Sequence, residues 1–133
     1  MSGANAGPGR PRRDRRKETG AAAEQAAADY LAGAGYDILH RNWRCRTGEL
    51  DLIARRGSTL AIVEVRSRRA GSRFGAAAEA ITPRKCRQVR ETAAVFLRQA
   101  PHWSALAVRF DAAAVTIGPD GAVADVNYIE NAF

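Results

Sequence analysis

Residues 48–68, GELDLIARRGSTLAIVEVRSR, decide how this chain folds. Two runs rich in branched apolar residues, 49–55 and 59–66, flank Gly57-Ser58. A two-residue connection containing glycine between such runs predicts a β-hairpin. With that turn at the tip, Asp51 falls opposite Glu64, and Glu49 opposite Arg66. Strand period two puts Glu49, Asp51 and Ile53 on one face, with Ile62, Glu64 and Arg66 facing them. Leu50, Leu52, Val63 and Val65 take the other face, which is uniformly apolar and reads as core. Facing residues hold their Cβ atoms roughly 4.5–5.5 Å apart. Two carboxylates that close repel, and more so when half-buried. A shared proton, a nearby arginine or a divalent cation relieves the repulsion. Mg²⁺ suits such a pair because it takes one or two carboxylates and keeps waters that a phosphate displaces. The competing reading is a solvated face with a plain Glu49–Arg66 pair.

The rest of the chain favours an anionic partner. It has 133 residues, 46% of them hydrophobic, which suits one globular domain without metal or disulfide staples. The net charge is +7, which points to nucleic acid before a membrane surface. The charge is uneven. Residues 41–98 hold fourteen Lys or Arg against five acids, whereas residues 99–133 hold Arg109 against four. The basic excess therefore surrounds the odd carboxylates. Cys45 and Cys86 form no CxxC and no zinc spacing, as expected of a reduced cytoplasmic protein. No apolar run approaches the roughly 18 residues of a membrane span, so no membrane is expected among its partners.

Residues 1–18 are rich in Gly, Pro and Arg and read as a disordered basic arm; residues 19–133 read as one domain. Residues 19–33 are Ala-rich and helical by propensity, with Gly33 and Gly35 at the stop. Residues 36–46 read as a strand before the hairpin, and 67–80 as a loop after it. Thr82 caps a second helix with Pro83 at its first position. Cys86, Val89, Ala93, Phe96 and Leu97 recur there at helical spacing. Residues 105–117 and 122–129 close the chain as a hairpin around Pro119-Asp120-Gly121. The order is α-β-β-β-α-β-β, an α/β fold with one mixed sheet flanked by helices.

Taken together, GELDLIA, EVRSR, FGAAAEAITPRKCRQVRETAAVFL, VRFD, the final NAF and the earlier GYDILHRNWRCR resemble the YraN family of small bacterial proteins. The resemblance covers residues 19–133. That family is similar to the PD-(D/E)XK nucleases, with a restriction-endonuclease-like core and Holliday junction resolvases among its analogues. It implies an endonuclease that uses Mg²⁺ or Mn²⁺ and a metal site on the second and third strands. Asp51 matches the motif's first carboxylate and Glu64 its second. Glu24 matches an acidic position that completes the site in related nucleases, and Glu49 is a further ligand or orienter. Arg66 stands where the motif has lysine. Arginine clamps phosphate through its fork but is effectively never deprotonated. Either Arg66 acts as an electrostatic clamp, or Lys85 reaches in from the second helix, or the protein binds nucleic acid without cutting it, as an adaptor on the same fold.

Lys85, Gln88 and Thr92 share one helical stripe, which is either solvated or supports the site. Arg68, Arg69, Arg73, Arg84 and Arg87 are candidate phosphate contacts to DNA, or to RNA. Trp43 reads as core, Asp111 as a strand-orienting residue, and Thr47-Gly48 as a bend. One site nicks one strand, so paired cuts would call for a homodimer.

Overall fold

The Gly57-Ser58 turn forms as the sequence pattern requires, and the strands on either side organise the molecule. A computed structural model describes the backbone of residues 13–71 and 81–133, with side chains from Thr19 onward. The described elements are α1 (Arg13–Gly33), β1 (Asp37–Cys45), β2 (Gly48–Arg56), β3 (Thr59–Arg69), α2 (Pro83–Gln99), a short 3₁₀ turn (Pro101–Trp103), β4 (Ala107–Ile117) and β5 (Val123–Ile129). The five strands make one sheet in the order β1-β2-β3-β4-β5. β1, β2 and β3 form an antiparallel meander. β4 then runs parallel to β3, which needs the long crossover that α2 supplies, and β5 returns antiparallel.

Helix α1 begins at Arg13 rather than at residue 19, inside the segment expected to be a disordered arm. Its opening Arg, Lys and Glu are good helix formers and simply extend the Ala-rich run. Residues 1–12 lie outside the described residues. β3 reaches Arg69, three residues beyond the expected end, because it pairs with β4 as far as Arg69↔Ile117. Residues 72–80, most of the expected loop, also lie outside the described residues.

Both faces of the sheet are covered. Ala27, Ala28 and Leu31 of α1 pack on Leu52, Ala54, Ala61, Val63 and Ala113. Val89, Ala93 and Phe96 of α2 pack on Leu50, Ile53, Leu60 and Ile62. The apolar period of α2 therefore marks its buried side as expected, and the Thr82 hydroxyl accepts the Lys85 N–H as its cap. Truncating Phe96, 1% exposed, to alanine is expected to cost about 3–5 kcal/mol. Trp43 is partly buried, edge-on to Phe96, in the role expected of it.

Two expectations need correction. The face opposite the carboxylates is not the single core face, because Ile53 and Ile62 are as buried as Leu52 and Val63. Leu50 joins the α2 cluster instead of sharing the Leu52 face. The first follows from α2 covering the Ile53–Ile62 face, the second from the break in strand alternation beside Asp51.

Candidate active site

The β2–β3 ladder follows the expected register from Arg56↔Thr59 to Leu52↔Val63 and ends there. Past that point the Val65 N–H donates to the Asp51 carboxylate (Oδ2) at 2.8 Å. A side chain thus replaces a ladder carbonyl, strand alternation is interrupted, and Asp51 is drawn toward Glu64. Burial pushes the Asp51 carboxyl up to about 7. Glu64 adds to the rise, the Val65 N–H opposes it, and Glu24 and Glu49 raise it further. Each cause is a charge kept from water or crowded by its like, apart from the N–H, which favours the charged form.

Glu64 lies in the middle of β3 and is 7% exposed. Burial raises its carboxyl as well. The opposing causes are the charges of Lys85 and Arg66 and hydrogen bonds with Lys85 and Asp51. Lys85 Nζ stands 3.6 Å from Glu64 Oε2. Lys85 sits near the start of α2, so the helix that caps at Thr82 delivers an ammonium to a carboxylate 21 residues earlier in the chain. Arg66 is half-buried two residues along β3. Asp51, Glu64, Lys85 and Arg66 are therefore brought together.

The outlying candidates are more dispersed. Glu24, on α1, accepts a hydrogen bond from Asn42 Nδ2 at 3.2 Å. Glu49 pairs with Arg44 at 3.3 Å, because the ladder that would have set it opposite Arg66 has ended. Both act on Asp51 through charge. Arg68 is half-buried and Arg69 exposed at the end of β3, while Arg84 and Arg87 are exposed on α2. Arg73 lies outside the described residues.

Two desolvated carboxyls in the field of two more call for positive charge. Their oxygens suit a hard cation such as Mg²⁺ or Mn²⁺. Among the described residues no three His, Cys, Asp or Glu side chains stand together closely enough to enclose an ion. Asp51 and Glu64 could offer an ion two carboxyls at most, with its other positions falling to water, as Mg²⁺ tolerates.

Two groups of polar residues escaped the sequence pattern. Thr92 is fully buried, not solvated, and its hydroxyl meets the Thr47 hydroxyl at 2.9 Å. Gln88 Nε2 donates to the Thr47 carbonyl at 3.1 Å. The Thr47-Gly48 bend is thereby fastened to α2 beside the site, and only the helical stripe of Lys85, Gln88 and Thr92 hinted at it. Elsewhere, Asp111 is fully buried and accepts from Arg109 Nε and Nη2, Tyr128 Oη and the Asn131 N–H. Arg109 also donates to Tyr36 Oη. Burial, then Asp111, push the Tyr128 hydroxyl up, and Asp111 holds the Arg109 guanidinium protonated. The Arg-x-Asp spacing was the available signal, since period two places both residues on one face of β4.

Fold and site together define a class: a mixed α/β protein with a helix on each face of its sheet and a desolvated carboxyl pair where two strands part. The chain belongs to the uncharacterised protein family UPF0102, whose model matches residues 23–115 and so spans both carboxyls and Lys85. It is 51% identical over 104 residues to a UPF0102 protein of Mycolicibacterium vanbaalenii, covering 77% of this chain and 84% of that one. A UPF0102 protein of Frankia casuarinae is 47% identical over 110 residues, with 83% and 91% covered. One from Caldicellulosiruptor saccharolyticus is 40% identical over 118 residues, with 89% and 98% covered. Among the described residues no helix is long and apolar enough to cross a membrane.

Proposed function

We propose that this protein is a Mg²⁺- or Mn²⁺-dependent nuclease with a restriction-endonuclease-like core, hydrolysing phosphodiesters in DNA, with branched or otherwise structured DNA as its substrate. One observation carries this: two desolvated carboxyls, Asp51 and Glu64, meet beside the Lys85 ammonium, 3.6 Å from Glu64. The antiparallel meander followed by a helical crossover to a parallel strand supports the core assignment.

Asp51 and Glu64 would hold the ion. A bound ion would supply positive charge at the phosphoryl group and a Lewis acid for the attacking water. The chain's own residues do the rest. The Val65 N–H fixes the Asp51 carboxylate, so its orientation is set before substrate arrives. Arg66 offers a planar fork to a phosphate oxygen. Lys85 places an ammonium on the helix side of the site, beside Glu64. Glu24 and Glu49 deepen the negative field that attracts the ion. In the reaction, water adds to phosphorus and the P–O bond to the leaving sugar oxygen breaks, that oxygen taking up a proton.

The test is a cleavage assay with Mn²⁺ on single-stranded, duplex, flap and four-way-junction DNA, with Asp51→Ala purified identically. Cutting that disappears in the variant is the expected result. Salt-sensitive binding by both proteins with no cutting would make this a nucleic-acid-binding module instead.

A further inference from the structure

Beyond Lys85 lies an open cleft of about 440 Å³, lined by Thr47, Arg84, Lys85, Arg87, Gln88 and Glu91 together with the cap residue Thr82. Lys85 belongs to both places, because it also pairs with Glu64. The cleft therefore adjoins the carboxyl pair directly.

Its wall is built rather than incidental. The Thr47 hydroxyl is held by the buried Thr92, and the Thr47 carbonyl by Gln88. Gly48 has φ +152°, and a Cβ there would stand 2.9 Å from Gln88 Nε2 and 3.1 Å from Thr92 Oγ1. Only glycine lets the bend lie this close to α2. The wall thus keeps its position beside the first turns of the helix.

The lining has two chemistries. Among the described residues that line it, Arg84, Lys85 and Arg87 present three cations against one carboxylate, Glu91. Gln88 spends its amide hydrogen on Thr47, which leaves its amide oxygen as an acceptor. Cations alone would suit any anion. Cations beside acceptors suit a ligand with a phosphate and an amino-bearing edge, which is a nucleotide. The volume falls in the range of roughly 300–1,000 Å³ that encloses small ligands. A base inside a duplex has its edge occupied by its partner, whereas an unpaired base offers it.

We infer that this cleft is a subsite for one unpaired nucleotide next to the phosphodiester to be cut, so the substrate enters as a single strand or a frayed end. This rests on the nuclease function proposed above and narrows its substrate. Arg84 and Arg87 hold the phosphate, and Gln88 and Glu91 face the base edge.

Binding is measured by fluorescence anisotropy with the full chain carrying Asp51→Asn, at fixed salt. The probes are a short labelled single strand and a blunt duplex of the same sequence. Arg87→Ala and Gln88→Ala are exposed substitutions, and Arg55→Ala, at the far end of β2, is the control. Each cleft variant is expected to weaken single-strand binding roughly tenfold, the worth of one charge-assisted or well-placed hydrogen bond, and duplex binding far less. Arg55→Ala should move neither. Equal weakening of both probes, no weakening, or no single-strand binding at all overturns the subsite. Cleavage is followed in parallel with Asp51 intact. Discrimination without Mn²⁺-dependent cutting overturns the nuclease function alone, and cutting without discrimination overturns the subsite alone.

Discussion

In β4, the Asp111 carboxylate accepts hydrogen bonds from a guanidinium fork, a tyrosine hydroxyl and a backbone N–H. In β2, Asp51 accepts the Val65 N–H and otherwise faces other carboxyls. Both lie in the same sheet, and Asp111 is the more deeply buried. The difference lies in what surrounds them. Asp111 has a full set of donors, so its charge is compensated by the fold itself. Asp51 and Glu64 are desolvated with less compensation, from the Val65 N–H and from Lys85 beside Glu64. A buried charge that is satisfied works as a fastener. A buried pair left under-satisfied weakens the fold and leaves room for a further positive partner.

The largest expected effect is on the fastener. Asp111→Ala leaves the half-buried Arg109 without its main partner and the Tyr128 hydroxyl and Asn131 N–H without their acceptor, and should cost about 3–5 kcal/mol in urea unfolding. A loss below about 1 kcal/mol would dissolve the contrast. Next is cation binding. At an ion concentration a hundred times Kd, Mn²⁺ should stabilise wild type by about 2.7 kcal/mol. Thermal melts should show that gain and show it vanish in Asp51→Asn/Glu64→Gln. An equal gain in both proteins would place the ion elsewhere.

The third prediction concerns pH in chelator-treated protein. The Asp51 carboxyl titrates at about 7 in the fold against an ordinary 3.8, so the native state holds the extra proton. Its stabilising effect is complete below about pH 4 and is lost as pH rises toward 7. Asp51→Asn keeps an acceptor for Val65 and removes the charge. Above pH 7 it should be more stable than wild type by roughly 1–3 kcal/mol, and at pH 4 nearly equal. Unfolding curves that run parallel across the range would refute this. The smallest effect belongs to Lys85→Met. Lys85 is partly exposed and its ion pair is screened, so the cost should stay under about 1 kcal/mol. Arg109→Met, the same change beside Asp111, should cost several times more.

Much of this contrast is legible in the linear chain. The Gly57-Ser58 turn sets the register, which holds as far as Leu52↔Val63 and leaves Asp51 and Glu64 just beyond its end. Thr82 and Pro83 locate α2, and its stripe places Lys85 near the bend. The splay is not legible there, since it depends on one side chain taking a backbone N–H from the ladder. Nor is the second covered face, because Ile53 and Ile62 alternate with carboxylates and look half-solvated in one dimension. The Asp111 network joins residues 36, 109, 111, 128 and 131, of which a local period relates only Arg109 and Asp111.

The parallel pairing of β3 with β4 has a consequence for synthesis. Thr59 pairs with Ala107, 48 residues later. At roughly 5–20 residues per second, β3 leaves the ribosome about 2–10 s before its partner exists. During that interval Leu60–Val65 presents an apolar, β-branched edge of the kind that recruits other chains. Glu64 is the charge within that edge, and Arg66, Arg68 and Arg69 follow it. The carboxylate buried in the finished sheet is thus, beforehand, a charge of the kind that guards an exposed apolar strand against aggregation.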